Sequence, residues 1–178
     1  MDELKSSAVF RRVGQHELLL CLAVNGLCHR RGVSQVLALA SKLGDGVFWY
    51  ALMLVLPLMN GWHGLVASLH MGLVALVGVL LYKCLKRKLV RHRPFVMHDG
   101  IRLGAAPLDE HSFPSGHTLH AVAFTIIATS YYPHLAFLLV PFAIAVALSR
   151  VVLGLHYPTD VLAGAAIGAS LASLSFGI

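Results

Sequence analysis

The chain has 178 residues, 57% hydrophobic and 12% charged, with a mean hydropathy of +0.75 and a net charge of +6. A soluble domain carries about 25% charged residues, and here all 22 Asp, Glu, Lys and Arg fall outside three blocks, 46–82, 115–149 and 161–178. That pattern excludes a soluble globular domain, a disordered chain and a disulfide-knotted secreted domain, and it predicts an all-α, multi-pass membrane protein.

In chain order, the opening residues 1–5 lack a basic stretch leading into an apolar core, so no removable signal peptide is expected. Residues 18–27 are apolar but brief and run into His29-Arg30-Arg31. Region 1–45 is therefore read either as containing a short span or as an interfacial helix. A bilayer core takes roughly 20 apolar residues as helix, so the first two uncharged blocks each hold about two spans and the third about one. Asn60-Gly61-Trp62-His63-Gly64 breaks the first block and Tyr131-Tyr132-Pro133-His134 the second, as helix-punctuating and interfacial residues do. Spans are expected near 46–59, 65–82, 116–131, 135–150 and 158–177. The first of these should begin nearer Leu43, with Lys42 and Asp45 at the interface. Loop 83–113 carries ten of the 22 charges. The whole, 1–178, reads as one domain of about six helices. Cys21 and Cys28 are about 10 Å apart along a helix, beyond disulfide reach; with Cys84 they read as small apolar fillers. The basic excess lies on loops between spans, where lipid phosphate rather than nucleic acid is the near partner.

Polar clusters stand at the ends of the spans. Lys86 through Arg93-Pro94 follows the second span, Pro114-Ser115-Gly116-His117 opens the third, and Ser149-Arg150 closes the fourth. His156 and Asp160 open the last. Successive helices alternate direction, so all of these reach one membrane face and can converge. Lys86, Arg93 and Arg150 offer cations, Arg with a fork that matches phosphate oxygens. Ser115 and Gly116 begin a helix, whose free N–H groups suit an anion. Asp160, one turn beyond His156, can hold that imidazole in one tautomer and leave its other nitrogen free to attack. His117 is then the acid for the leaving oxygen. The set describes phosphoryl transfer through a phosphohistidine, with no metal or cofactor required.

At these residues the sequence resembles the type 2 phosphatidic acid phosphatase family, whose core is similar to that of the vanadium haloperoxidases. The shared pattern is Lys, six residues, Arg-Pro; then Pro-Ser-Gly-His; then Ser-Arg, five residues, His, three residues, Asp. It is met in order by Lys86 to Pro94, Pro114 to His117, and Ser149 to Asp160. The resemblance covers roughly residues 83–160 and leaves 1–45 uncovered. It implies a bundle of about six membrane helices, with His156 as nucleophile, Asp160 as its orienting partner and His117 as general acid. Lys86, Arg93, Ser115, Gly116 and Arg150 are implied as the phosphate cradle. It also implies a metal-independent bacterial lipid phosphatase acting on undecaprenyl diphosphate or on phosphatidate or phosphatidylglycerophosphate. Competing readings are a lipid phosphotransferase on the same site, haloperoxidase-like chemistry on bound vanadate, and a non-catalytic transporter or scaffold.

Other polar residues are read more plainly. Arg87, Lys88, Arg91 and Arg102 are interfacial, and Asp109-Glu110-His111 is loop solvation. His117 and His120 are spaced like a metal pair but lack a ligand set. Gly164 and Gly168 belong to a small-residue stripe for close helix packing, with a homodimer contact as the alternative. On orientation two arguments disagree. With six spans, eleven Lys and Arg fall on the active-site face of an inner-membrane protein and three (Lys5, Arg11, Arg12) on the other. The positive-inside rule then points that face to the cytoplasm, whereas the resemblance implies the periplasmic side.

Overall fold

The computed structural model describes the backbone of residues 2–177 and the side chains of residues 14–177; Lys5, Arg11 and Arg12 of the charge count lie outside the described side chains. Helix α1 runs Asp2–Asn25 and α2 Arg31–Lys42. The long α3 is Phe48–Lys88, α4 is the single turn Pro94–Met97, α5 is Gly116–Tyr131, α6 is Ala136–Val152 and α7 is Pro158–Ser175. Among the described residues the only β feature is a lone bridge between His92 and His111. The fold is all-α, as the composition implied.

Breaks in the helices fall where backbone freedom allows them. Gly61 (φ +55°) folds α3 back on itself into arms 48–60 and 62–88. Ser68 of the second arm donates its hydroxyl to the Met53 carbonyl of the first at 2.7 Å, and Gly64 lets the arms touch at the Leu56 carbonyl. The span expected from Leu43 starts later. A π-turn, Leu43–Val47, bends at Gly46 (φ +129°) and separates the first arm from α2, a second helix within the 1–45 region. The 18–27 stretch is the end of the 24-residue α1. Its Glu17, Cys21 and Asn25 pack on the loop after α3 and on the α6–α7 junction.

Packing is inverted relative to a soluble protein. Much of the interior is small, including Ala67, Ala121, Ala123, Ala128, Ala172, Gly64, Gly164 and Gly168. Large apolar side chains such as Phe137, Met59, Leu58 and Leu174 face outward. Bundles in lipid associate this way, because small residues bring backbones together while bulky ones meet acyl chains. An aromatic knot of Phe48, Trp49, Phe124 and Phe142 fills the centre.

The tightest seam joins α5 to α7. A Cβ on Gly164 would meet the Ser115 carbonyl at 2.5 Å, and one on Gly168 the Leu119 carbonyl at 2.2 Å. The stripe is thus used within the chain. The alternative of a homodimer contact through Gly164 and Gly168 is corrected, since both are buried against α5 and present no surface to a second copy. This seam brings the starts of α5 and α7 to the rim where α3 and α6 end. At the other rim, His70 bonds Tyr131 and Ser175 at 3.2 and 2.7 Å.

Candidate active site

At the first rim, Lys86, Arg93, Gly116, His117, Arg150 and His156 line one cavity of about 210 Å³. Pieces scattered over seventy residues of sequence therefore meet in one place. Ser115 and Asp160 stand behind the cavity wall. The Ser115 hydroxyl caps α5, accepting from the Thr118 N–H at 3.4 Å, and its own N–H donates to the Asp160 carbonyl at 3.0 Å. Its side chain is spent on the helix start, on the Thr118 N–H and hydroxyl, rather than on the cavity.

His156 is 1% exposed and follows the α6–α7 turn, where Gly154 (φ +74°) reverses the chain. Its Nε2 lies 3.3 Å from Arg93 Nη1. Its Nδ1 lies 3.7 Å from Asp160 Oδ2, in the orientation of an aligning pair but beyond hydrogen-bond reach. Burial first, then the charges of Arg150, Arg93 and Lys86, hold the His156 imidazole well below its ordinary range. A neutral ring that keeps a lone pair on the nitrogen facing the cations, here Nε2 beside Arg93, is the state a nucleophilic histidine needs.

Asp160 is completely buried and is held from two sides. The Tyr157 N–H donates to Oδ2 at 2.8 Å, and Arg91 Nη1 donates to Oδ1 at 2.6 Å. Arg91 also donates to Thr159 Oγ1 and to Glu17 Oε2, both at 2.8 Å, and lies 4.0 Å above the Tyr157 ring. Glu17 in turn accepts the Thr159 N–H at 3.0 Å and its hydroxyl. Although burial disfavours the Arg91 cation, Asp160 and Glu17 more than offset it and raise its pKa. Sequence reading put Arg91 among interfacial cations and passed over Glu17. The network joins residues up to 142 positions apart, and no local pattern announces it.

The phosphate-binding candidates have anionic company. Lys86 Nζ donates to both Asp109 oxygens at 2.6 and 2.7 Å, and Arg93 Nη2 donates to Oδ1 at 2.7 Å. Burial alone would raise the Asp109 carboxyl, but the hydrogen bonds and charges of Lys86 and Arg93 outweigh it and hold it below its ordinary value. Asp109 is thus exposed on the loop and at the same time paired with two site cations. It sits on the cations expected to grip phosphate and offers them a carboxylate's two oxygens. Arg150 reaches Ser41 at the end of α2. His117 Nε2 lies 3.4 Å from Asp45 Oδ1 in the π-turn, a residue that sequence reading had left at the interface. His120 turns its ring nitrogens to the Gly116 and Ala75 carbonyls.

The chain is similar to known proteins in sequence and in fold. A model of the PAP2 superfamily matches residues 67–178. The chain is 39% identical over 94 residues to the lipid A 1-phosphatase of Rhizobium johnstonii, which covers 51% of this chain and 38% of that protein; the chain thus spans about two fifths of the length of that relative. It is 31% identical to phosphatidylglycerophosphatase B of Bacillus subtilis, covering 92% of this chain and 75% of the relative. The crystal structure of Aquifex aeolicus LpxE shares the fold, with a TM-score of 0.79 at 24% identity over 90% of this chain and 94% of that one. With the family match over more than half of its length and the second relative alike along nearly all of it, this chain belongs to the PAP2 superfamily.

Proposed function

We propose that the protein is an integral-membrane phosphatase that removes the terminal phosphate of a lipid phosphate or diphosphate. His156 Nε2 attacks phosphorus, the bond to the leaving oxygen breaks, and His117 gives that oxygen its proton. Water then attacks the phosphohistidine while His117 takes a water proton, the N–P bond breaks and inorganic phosphate leaves. Lys86, Arg93 and Arg150 hold the phosphoryl oxygens, the N–H groups at Gly116 and His117 add the start of a helix, and Asp160 orients His156. The observation that carries this reading is the pose of His156. It is buried, with one nitrogen turned to Asp160 and the other to Arg93 in a cavity shared with His117.

Relatives named for lipid A and for phosphatidylglycerophosphate favour a lipid headgroup, and the outward apolar belt supplies a surface for its tail. The catalytic rim is taken to face away from the cytoplasm. The charge argument against this weakens because Arg91, like Lys86, Arg93 and Arg150, is engaged by site residues. In detergent, His156→Ala and His117→Ala should each lower phosphate release from phosphatidate at least about a thousandfold, with unchanged elution on size exclusion and with wild-type activity insensitive to chelators. Full turnover in His156→Ala ends the mechanism, and transfer of labelled phosphate to a second lipid instead of water makes the protein a phosphotransferase.

A further inference from the structure

The acid side of the cavity holds a group that the reaction above does not use. Asp45 lies in the π-turn between α2 and α3, beside Gly44, which packs on Val146, and Gly46, whose φ of +129° disfavours any side chain. Its carboxylate is 42% exposed, lines the cavity and stands 3.4 Å from His117 Nε2. The same cavity is lined by polar His117, Arg150 and His156 and by apolar Trp49, Ala75, Val79 and Phe124. Among the described residues no Lys or Arg lies within ion-pair distance of Asp45: Lys86 and Arg93 are taken by Asp109, and Arg150, whose charge acts on Asp45 only through space, bonds Ser41.

In an in-line displacement, the nucleophile and the leaving oxygen lie on opposite sides of phosphorus. With His156 entering on one side, the leaving oxygen is the one His117 Nε2 protonates, and whatever is bonded to it sits beside Asp45. We infer that Asp45 is a specificity-determining residue that directs the site to phosphomonoesters, whose leaving group is a neutral alcohol, and away from diphosphates, whose leaving group is itself a phosphate. Placing a second phosphate against a carboxylate that no Lys or Arg neutralises, and whose His117 neighbour has just given up its proton, is a like-charge contact, which interfaces use to reject wrong partners. The inference rests on the assignment of His117 as the acid, and it narrows the lipid phosphate or diphosphate of the proposed function to the former.

Geranylgeranyl phosphate and geranylgeranyl diphosphate carry the same tail and differ only in the inserted phosphate, so they isolate this effect. Wild-type protein in detergent should prefer the monophosphate. Asp45→Asn should raise kcat/KM for the diphosphate about tenfold in absolute terms, whereas Asp45→Glu should keep the wild-type preference. Asp45→Ser serves in place of Asp45→Asn if the latter does not purify as a single species. An unchanged or lower diphosphate rate in the neutral variant overturns the inference. So does a shift in preference produced only by lost monophosphate turnover, because the carboxylate would then merely position His117. His117→Ala tests the underlying assignment separately: full turnover of both lipids in that variant removes the acid, whatever Asp45→Asn does.

Discussion

The two histidines of the site stand in unlike surroundings. Around His156, Asp160 is wholly buried, bonded by a backbone N–H and by Arg91, and backed by Glu17 and the glycine seam of α5 on α7. Around His117, the nearest carboxylate is the half-exposed Asp45, touching without a hydrogen bond. The neighbouring cations Lys86 and Arg93 are held by a loop carboxylate, which under the proposed function substrate displaces. A nucleophile needs one orientation kept through every turnover, and backbone packing with buried ion pairs supplies it. The phosphate seats and the exit of the leaving group must open and close, and side chains on a loop and a turn can do so. One anion can replace another there at little net cost, since charge-assisted bonds to Asp109 are exchanged for similar bonds to phosphate.

The contrast can be broken most severely at the seam. Gly168→Ala would drive a methyl into the Leu119 carbonyl, and a main-chain oxygen cannot turn aside. A loss of about 1–3 kcal/mol is expected, read as a lower midpoint of thermal aggregation in detergent with activity falling in parallel. Gly72→Ala, with open space around it, should leave the midpoint unchanged or slightly higher.

The nucleophile side is tested next at Arg91. Arg91→Gln leaves the buried Asp160 carboxylate without its cation, and breaking such a pair costs about 3 kcal/mol. The expected result is a kcat lowered at least tenfold with KM little changed. Glu17→Gln should give a smaller loss of the same kind. An Arg91→Gln enzyme with normal kcat would show that Asp160 is held by the seam alone.

On the loop side the effects are smaller and of opposite sign. Asp109→Asn frees Lys86 and Arg93, and inorganic phosphate should inhibit the variant roughly tenfold more tightly than wild type. A spin label at position 106 should report the same latch through pH. Because the folded Asp109 carboxyl titrates below its ordinary value of 3.8, its hold on the loop is fully present above that pH and is lost as pH falls through the lower folded value. Label mobility should thus stay constant from pH 7 to about 4 and rise below, while in Asp109→Asn it should be high throughout. The smallest measurement concerns topology. A membrane-impermeant maleimide should label Ala106→Cys in intact cells if the catalytic rim faces outward, and protection from it would reverse the orientation.

Much of this was legible in the chain because each feature was local. The breaks at Gly61 and Tyr131–Pro133 are punctuation that any helix obeys, and alternation of helix direction alone sends Lys86, His117, Arg150 and His156 to one rim. Ser115 was legible as a helix start but not as a residue turned away from the cavity, since an N-cap hydroxyl bonds either its own helix or a ligand and sequence does not choose. Asp109, Arg91 and Asp45 were assigned to solvent or interface because a single charge near a span end carries no record of its partner.

Composition and spacing by themselves determined a membrane bundle with its cations and histidines gathered at one rim, because charge is costly in lipid and 3.6-residue periodicity is independent of the rest of the chain. Only the tertiary structure decided which carboxylate meets which cation. Asp109 with Lys86 and Arg93, Glu17 with Arg91, and Asp45 with His117 are pairs between separate elements, and their energies depend on distance and burial that exist only once the helices have packed.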